Sequence, residues 1–121
     1  MSGYRPEKVA EQMHKEVSRL LMFNIKDPRV APVTITAVKV SKDIGSARIY
    51  FSVRDANDRK EAQRGLKSAA PYIRRELGQV MRLRFIPELR FEYDESVNYG
   101  QKIDELLRQV KDDLHDSPTD N

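Results

Sequence analysis

Between residues 6 and 53 the spacing of apolar residues changes once, and that change dictates the layers available to the fold. Over 6–25, Val9, Met13, Val17, Leu20, Leu21 and Ile25 recur at steps of three and four. That spacing puts them on one face of a helix, with Lys8, Glu11, Lys15, Glu16 and Arg19 on the others. Pro6 suits the first helical turn. Asp27-Pro28 stops the helix, because the residue before proline avoids the α region. From Val33 to Val40, and again from Ile44 to Val53, the chain becomes β-branched and alternating. Ala47, Ile49, Phe51 and Val53 fall on one side of the second strand, and Arg48, Tyr50 and Ser52 on the other. Asp43-Ile44-Gly45 supplies the turn of an antiparallel hairpin.

Helical spacing returns after a start signal at residues 55–58 and runs to Leu83 through Ala62, Leu66, Ala69, Ile73, Leu77, Val80 and Met81. Pro71 interrupts it. A proline removes one backbone donor and clashes with the carbonyl four residues earlier, at ~3 kcal/mol in a helix interior. The expectation is two helices, 58–69 and 71–83, meeting at a kink formed by Ala69, Ala70 and Pro71. Pro87 leads into a third strand, Leu89–Tyr93. Ser96 is the expected N-cap of a short last helix, whose Val97, Ile103, Leu106, Leu107 and Val110 pack back on the body. The fold class is α+β: a two-layer sandwich with a three-stranded sheet, in the order α-β-β-α-(kink)-α-β plus a short C-terminal helix. A type II KH domain, an RNA-binding fold, has the same order. Residues 1–110 form one domain. Residues 111–121 are acidic, cannot bury a core, and are expected to be a disordered tail.

Composition narrows the function. The chain has 121 residues and no cysteine, so a disulfide framework, a thiolate nucleophile and a cysteine-based zinc site are excluded. No apolar run reaches the ~20 residues needed to span a bilayer, and charges interrupt residues 1–20, so no signal peptide is read there. The expectation is a soluble, cytoplasmic protein that does not engage a membrane. His14 and His115 lie far apart, and both read as solvated bystanders. Asp112, Asp113 and Asp116 lack the glycine turns of a cation loop. Gly65, Gly78 and Gly100 stand singly, so no phosphate-binding loop is present. No catalytic residue, metal site, cofactor or small-molecule substrate is expected. No spare apolar stripe is visible, so a monomer is expected.

Charge points to a polyanion. Residues 1–91 hold nineteen Lys or Arg against ten Asp or Glu, and residues 92–121 hold three against nine. The basic body is the electrostatic footprint of a nucleic-acid binder, and the acidic end reads either as a solvating tail or as a competitor for the basic face that weakens non-specific RNA binding. The candidate phosphate contacts are Arg64, Lys67, Arg74, Arg75, Arg82 and Arg84, with Lys8, Lys15 and Lys42 as a second group. Arg74 and Arg75 would sit near a helix N-terminus created by the kink, whose donors and partial positive charge suit a phosphate. Pairing with Glu61 and Glu76 is the competing account of these cations. Phe51, Phe85, Phe91 and Tyr93 read as core, and Tyr50 and Tyr72 as the better stacking candidates.

The ordered stretches Arg5-Pro6-Glu7-Lys8-Val9-Ala10, Ile25-Lys26-Asp27-Pro28-Arg29-Val30, Val40-Ser41-Lys42-Asp43, Tyr72-Ile73-Arg74-Arg75-Glu76-Leu77-Gly78, Arg82 to Phe91 and Asp94-Glu95-Ser96 resemble the ribosome-binding factor A family over about residues 5–107. The resemblance implies a type II KH-like fold and binding to the free small (30S) ribosomal subunit and its 16S rRNA. It also implies support of late maturation and 5′-end processing of the 16S precursor, importance in the cold, and neither catalysis nor cofactor. Family members carry an Ala-x-Gly kink in place of the KH Gly-x-x-Gly loop. Here Ala69-Ala70-Pro71 departs from that pattern at its last position. Two other readings stay open: a generic KH-like RNA chaperone, and a protein-interaction adaptor using a strand edge or the acidic end.

Overall fold

The computed structural model describes residues 5–96 and 105–111. Its elements are α1 (Pro6–Phe23), β1 (Val33–Val40), β2 (Ser46–Val53), α2 (Arg59–Met81) and β3 (Glu88–Tyr93), followed by α3 (residues 105–111). The sheet order is β1-β2-β3. β1 and β2 form the antiparallel hairpin. β3 returns through α2 to pair parallel with β2, Ala47 opposite Leu89 and Phe51 opposite Tyr93. The core is the single layer between helices and sheet. It holds Met13, Val17 and Leu20 of α1, Ile49 and Phe51 of β2, and Leu66, Ile73 and Leu77 of α2, all at 1% exposure or less. Phe51 meets Tyr93 edge-to-face at 5.7 Å, a favoured aromatic geometry.

Several expectations are corrected, each by an identifiable contact. α1 stops at Phe23, because the Leu20 carbonyl accepts from the N–H groups of both Asn24 and Ile25, each at 2.9 Å. Asp27-Pro28 instead opens a short 3-10 turn, Pro28–Val30, with the Asp27 carboxylate accepting from the Arg29 backbone and guanidinium. β2 starts at Ser46 rather than Ile44. The Ser41 hydroxyl and the Asp43 carboxylate together hold the N–H groups of Gly45 and Ser46, and Ile44 is driven to φ 58°, a region a β-branched residue rarely enters.

The two helices expected around Pro71 are one continuous α2 with Pro71 inside it. Leu66 and Ile73, on either side of the proline, are both fully buried. Packing on both sides therefore outweighs the local cost of the missing donor. No helix N-terminus exists at residues 71–75, and the anion site expected there falls with it.

Val80 is 44% and Phe85 73% exposed, so neither belongs to the core. Asp94, not Ser96, caps the helical residues 95–96: its carboxylate accepts from the Ser96 N–H at 3.0 Å. α3 forms, but Leu106, Leu107 and Val110 are exposed rather than packed back, and Met22 and Phe23 are more than 70% exposed. The ground for expecting a monomer, the lack of spare apolar surface, is thereby lost. Val97, Ile103 and residues 112–121 lie outside the described residues.

Candidate nucleic-acid interface

Continuity of α2 builds the site. Lys60, Arg64, Lys67 and Arg74 recur at steps of four, three and seven, and Arg75 follows Arg74 directly, so an unbroken helix sets all five along one broad face. All five are exposed, and Pro71 lies in the middle of the same stripe, also exposed. Glu61 flanks the stripe, and Glu76 lies further round the helix, half-buried. One competing ion pair forms: Arg64 Nη1 reaches Glu61 Oε1 at 2.8 Å. Both partners are more than half exposed, and such a pair contributes about 0–1 kcal/mol, little enough for a phosphate to replace it.

Arg74 and Arg75 separate in role. Arg74 donates to the carbonyls of Ile86 (3.0 Å) and Pro87 (3.3 Å), clamping the segment that leads into β3. Its first duty is therefore structural. Arg75 lies 5.5 Å from the ring of the half-buried Tyr72, so an arginine and an aromatic stand together on the stripe.

Arg82 is left-handed (φ 53°) and ends α2, and Arg84 follows in the clamped segment, 5.5 Å from the exposed Phe85 ring. Phe85 is the stacking candidate that the sequence did not yield. Its alternation with Leu83 and Phe91 reads as strand-like core, and only its fixed outward pose says otherwise.

The second group stands on other elements. Lys8 and Lys15 are exposed on α1. Lys42, in the hairpin turn, lines a groove of about 570 Å³ between the start of α1 and the end of β1, together with Glu7, Glu11, His14 and Lys39. His14 is no bystander: its Nε2 is 3.0 Å from the Ile35 carbonyl, tying α1 to β1 at the bulge between Ile35 and Ala37.

Three carboxyls are held below their ordinary range. Asp27 is lowered by hydrogen bonds from Arg29, Asp43 by the Ser41 hydroxyl and the Gly45 N–H, and Asp94 by the hydroxyls of Ser96 and Thr36. Each works in a turn or cap. Among the described residues no three His, Asp or Glu groups gather as metal ligands, and no helix is long and apolar enough to cross a membrane.

A type II KH-like α+β domain with a basic stripe along its long helix belongs to a class whose exposed surface suits a polyanion. Comparison with known proteins narrows the class. The ribosome-binding factor A family model matches residues 5–107. Ribosome-binding factor A of Geobacter sulfurreducens is 49% identical over 108 residues, covering 88% of this chain and 92% of the relative. The chain belongs to the ribosome-binding factor A family.

Among solved structures, the crystal structure of the Thermus thermophilus factor aligns with a TM-score of 0.66 at 25% identity, covering 73% of this chain and 93% of that one. A homology model of the same factor, fitted to a cryo-EM map of its 30S complex, aligns at 0.61 and 24% identity, covering 71% and 91%.

Proposed function

We propose that this protein is a non-catalytic, cytoplasmic assembly factor. It binds the free small ribosomal subunit through 16S rRNA, holds a local rRNA conformation while late folding and 5′-end processing of the precursor finish, and matters most in the cold. The observation that carries this reading is the basic face of the continuous α2 on a chain of this family. Phosphate contacts supply affinity and position without naming a sequence, which suits a factor that recognises a folded subunit. No Gly-x-x-Gly loop is present to clamp four nucleotides, so recognition rests on charge and shape.

Co-sedimentation with free small subunits, large subunits and whole ribosomes at two salt concentrations tests it. The expected result is selective, salt-sensitive pelleting with free small subunits. Equal binding to all three, or to naked RNA as tightly as to subunits, would favour a general RNA chaperone instead.

One observation favours a second reading, protein docking: α3 exposes Leu106, Leu107 and Val110 together. Leu106→Ser with Val110→Ser would abolish subunit binding if that reading held, and leave it intact under the RNA reading.

A further inference from the structure

We propose that the open face of the sheet is a second RNA-contact surface, centred on a cross-strand row of Lys39, Arg48 and Arg90 that takes the phosphate backbone. This inference rests on the RNA-binding reading above and adds a surface to it.

The inward residues of the strands, Ile35, Ile49, Phe51 and Phe91, face the helices and are buried. Side chains alternate along a strand, so the residues between them emerge on the opposite face. Lys39 is exposed there, and the Arg48 and Arg90 side chains are 60% and 63% exposed. The register sets Lys39 directly opposite Arg48, and Arg48 directly opposite Arg90. Three cations thus stand in one line across all three strands, with neighbouring strands about 4.8 Å apart.

Like charges placed directly opposite destabilise a sheet, and none of the three belongs to the buried core. The counter-charges are loose. Glu92 is 3.7 Å from Arg48 Nε, and Glu88 is 3.6 Å from Arg90 Nε. Both distances exceed hydrogen-bonding range, Glu88 is exposed and Glu92 half-buried, and a hydrogen bond with the Tyr50 hydroxyl and the charge of Glu92 raise the Arg48 pKa, so these partners hold the arginines only until a better acceptor arrives. A phosphate is that acceptor, because it matches the guanidinium fork. Tyr50, one position along on the same face, has Lys39 Nζ 5.8 Å from its ring and lies between the small Ala37 on β1 and Glu92 on β3. An aromatic ring therefore lies beside the row, where an unpaired base can stack.

The test uses the full chain carrying Lys39→Gln, Arg48→Gln and Arg90→Gln together, with Arg19→Gln on α1 as control. The inference predicts opposite signs in two measurements. The unfolding temperature stays level or rises, because the repulsion is gone. Affinity for free small subunits and for naked 16S rRNA falls roughly tenfold or more at physiological salt, and the log–log salt slope loses about two units, at about 0.7 per phosphate contact on single strands. Unchanged affinity and slope overturn it. Weakened subunit binding with unchanged binding to naked RNA also overturns it, in favour of an acidic protein partner.

A parallel variant, Lys67→Glu with Arg75→Glu on α2, separates the two levels. If it loses binding while the triple variant does not, only the sheet surface is wrong. If the wild type binds no RNA, both readings fail.

Discussion

Gly65 shows how the absence of a side chain fixes the join between two segments. A Cβ built there would lie 2.8 Å from Val30 Cγ1 and 2.9 Å from Arg29 Cβ. Both belong to the 3-10 turn that Asp27 holds in place, so the neighbours cannot retreat easily. Alanine would gain up to ~1 kcal/mol of helix propensity, but overpacking costs about 1–3 kcal/mol. Gly65→Ala is therefore expected to lower stability by about 1–2 kcal/mol in denaturant unfolding, and a stabilised variant would show that the turn is free to move.

Asp94 gives a pH signature. It accepts from Ser96 and, at 2.6 Å, from Thr36 Oγ1 on β1, and its carboxyl is held below its ordinary value. A lowered folded pKa contributes stability that is present above the unfolded value, near about 3.9, and is lost as pH falls through the folded value. Asp94→Asn is expected to be less stable than wild type by about 1 kcal/mol at neutral pH, given solvent screening. The gap should begin to narrow as pH falls below about 4 and close once pH is below the folded value. A gap that stays constant as pH falls through the acid range would assign the effect to packing rather than charge.

Elements were legible from sequence where a local pattern and the final packing agreed. Val33–Val40 is read correctly because its β-branched run is also the strand. The inward set Val9, Met13, Val17, Leu20 and Leu21 is read correctly because its helical spacing is also its burial. Pro71 is where local and global terms part. Propensity splits the helix there, and the apolar residues packed on both sides keep it whole. The exposed ring contributes little to the core, while the Lys67 carbonyl, four residues back, loses its donor. Pro71→Ala is therefore expected to raise stability by about 1–3 kcal/mol in thermal or denaturant unfolding. No gain would mean that α2 has already relaxed around the ring at little cost. The row on the open sheet face was illegible for another reason: the alignment of Arg48 with Arg90 exists only through the parallel pairing of β2 with β3, a contact between segments far apart in sequence.

The molecule as a whole is a basic body joined to an acidic end, and the small net charge of +3 conceals it. The α2 stripe was partly legible because helical spacing collects Arg64, Lys67 and Arg75 on one side. The structural duty of Arg74 was not, because it depends on where residues 86 and 87 return. This division makes a graded prediction for binding. Lys67→Glu with Arg75→Glu removes two exposed cations that no described hydrogen bond or ion pair engages. The log–log salt slope of subunit binding should then flatten by about 1.4–1.8 units, at about 0.7–0.9 per phosphate contact, with stability nearly unchanged. Arg74→Glu should instead lower stability, because two carbonyls lose their donor and the approach to β3 loosens. Equal slopes for the double variant and wild type would place the RNA contact away from α2. A loss of affinity with no change of slope would mean that Lys67 and Arg75 touch something other than phosphate.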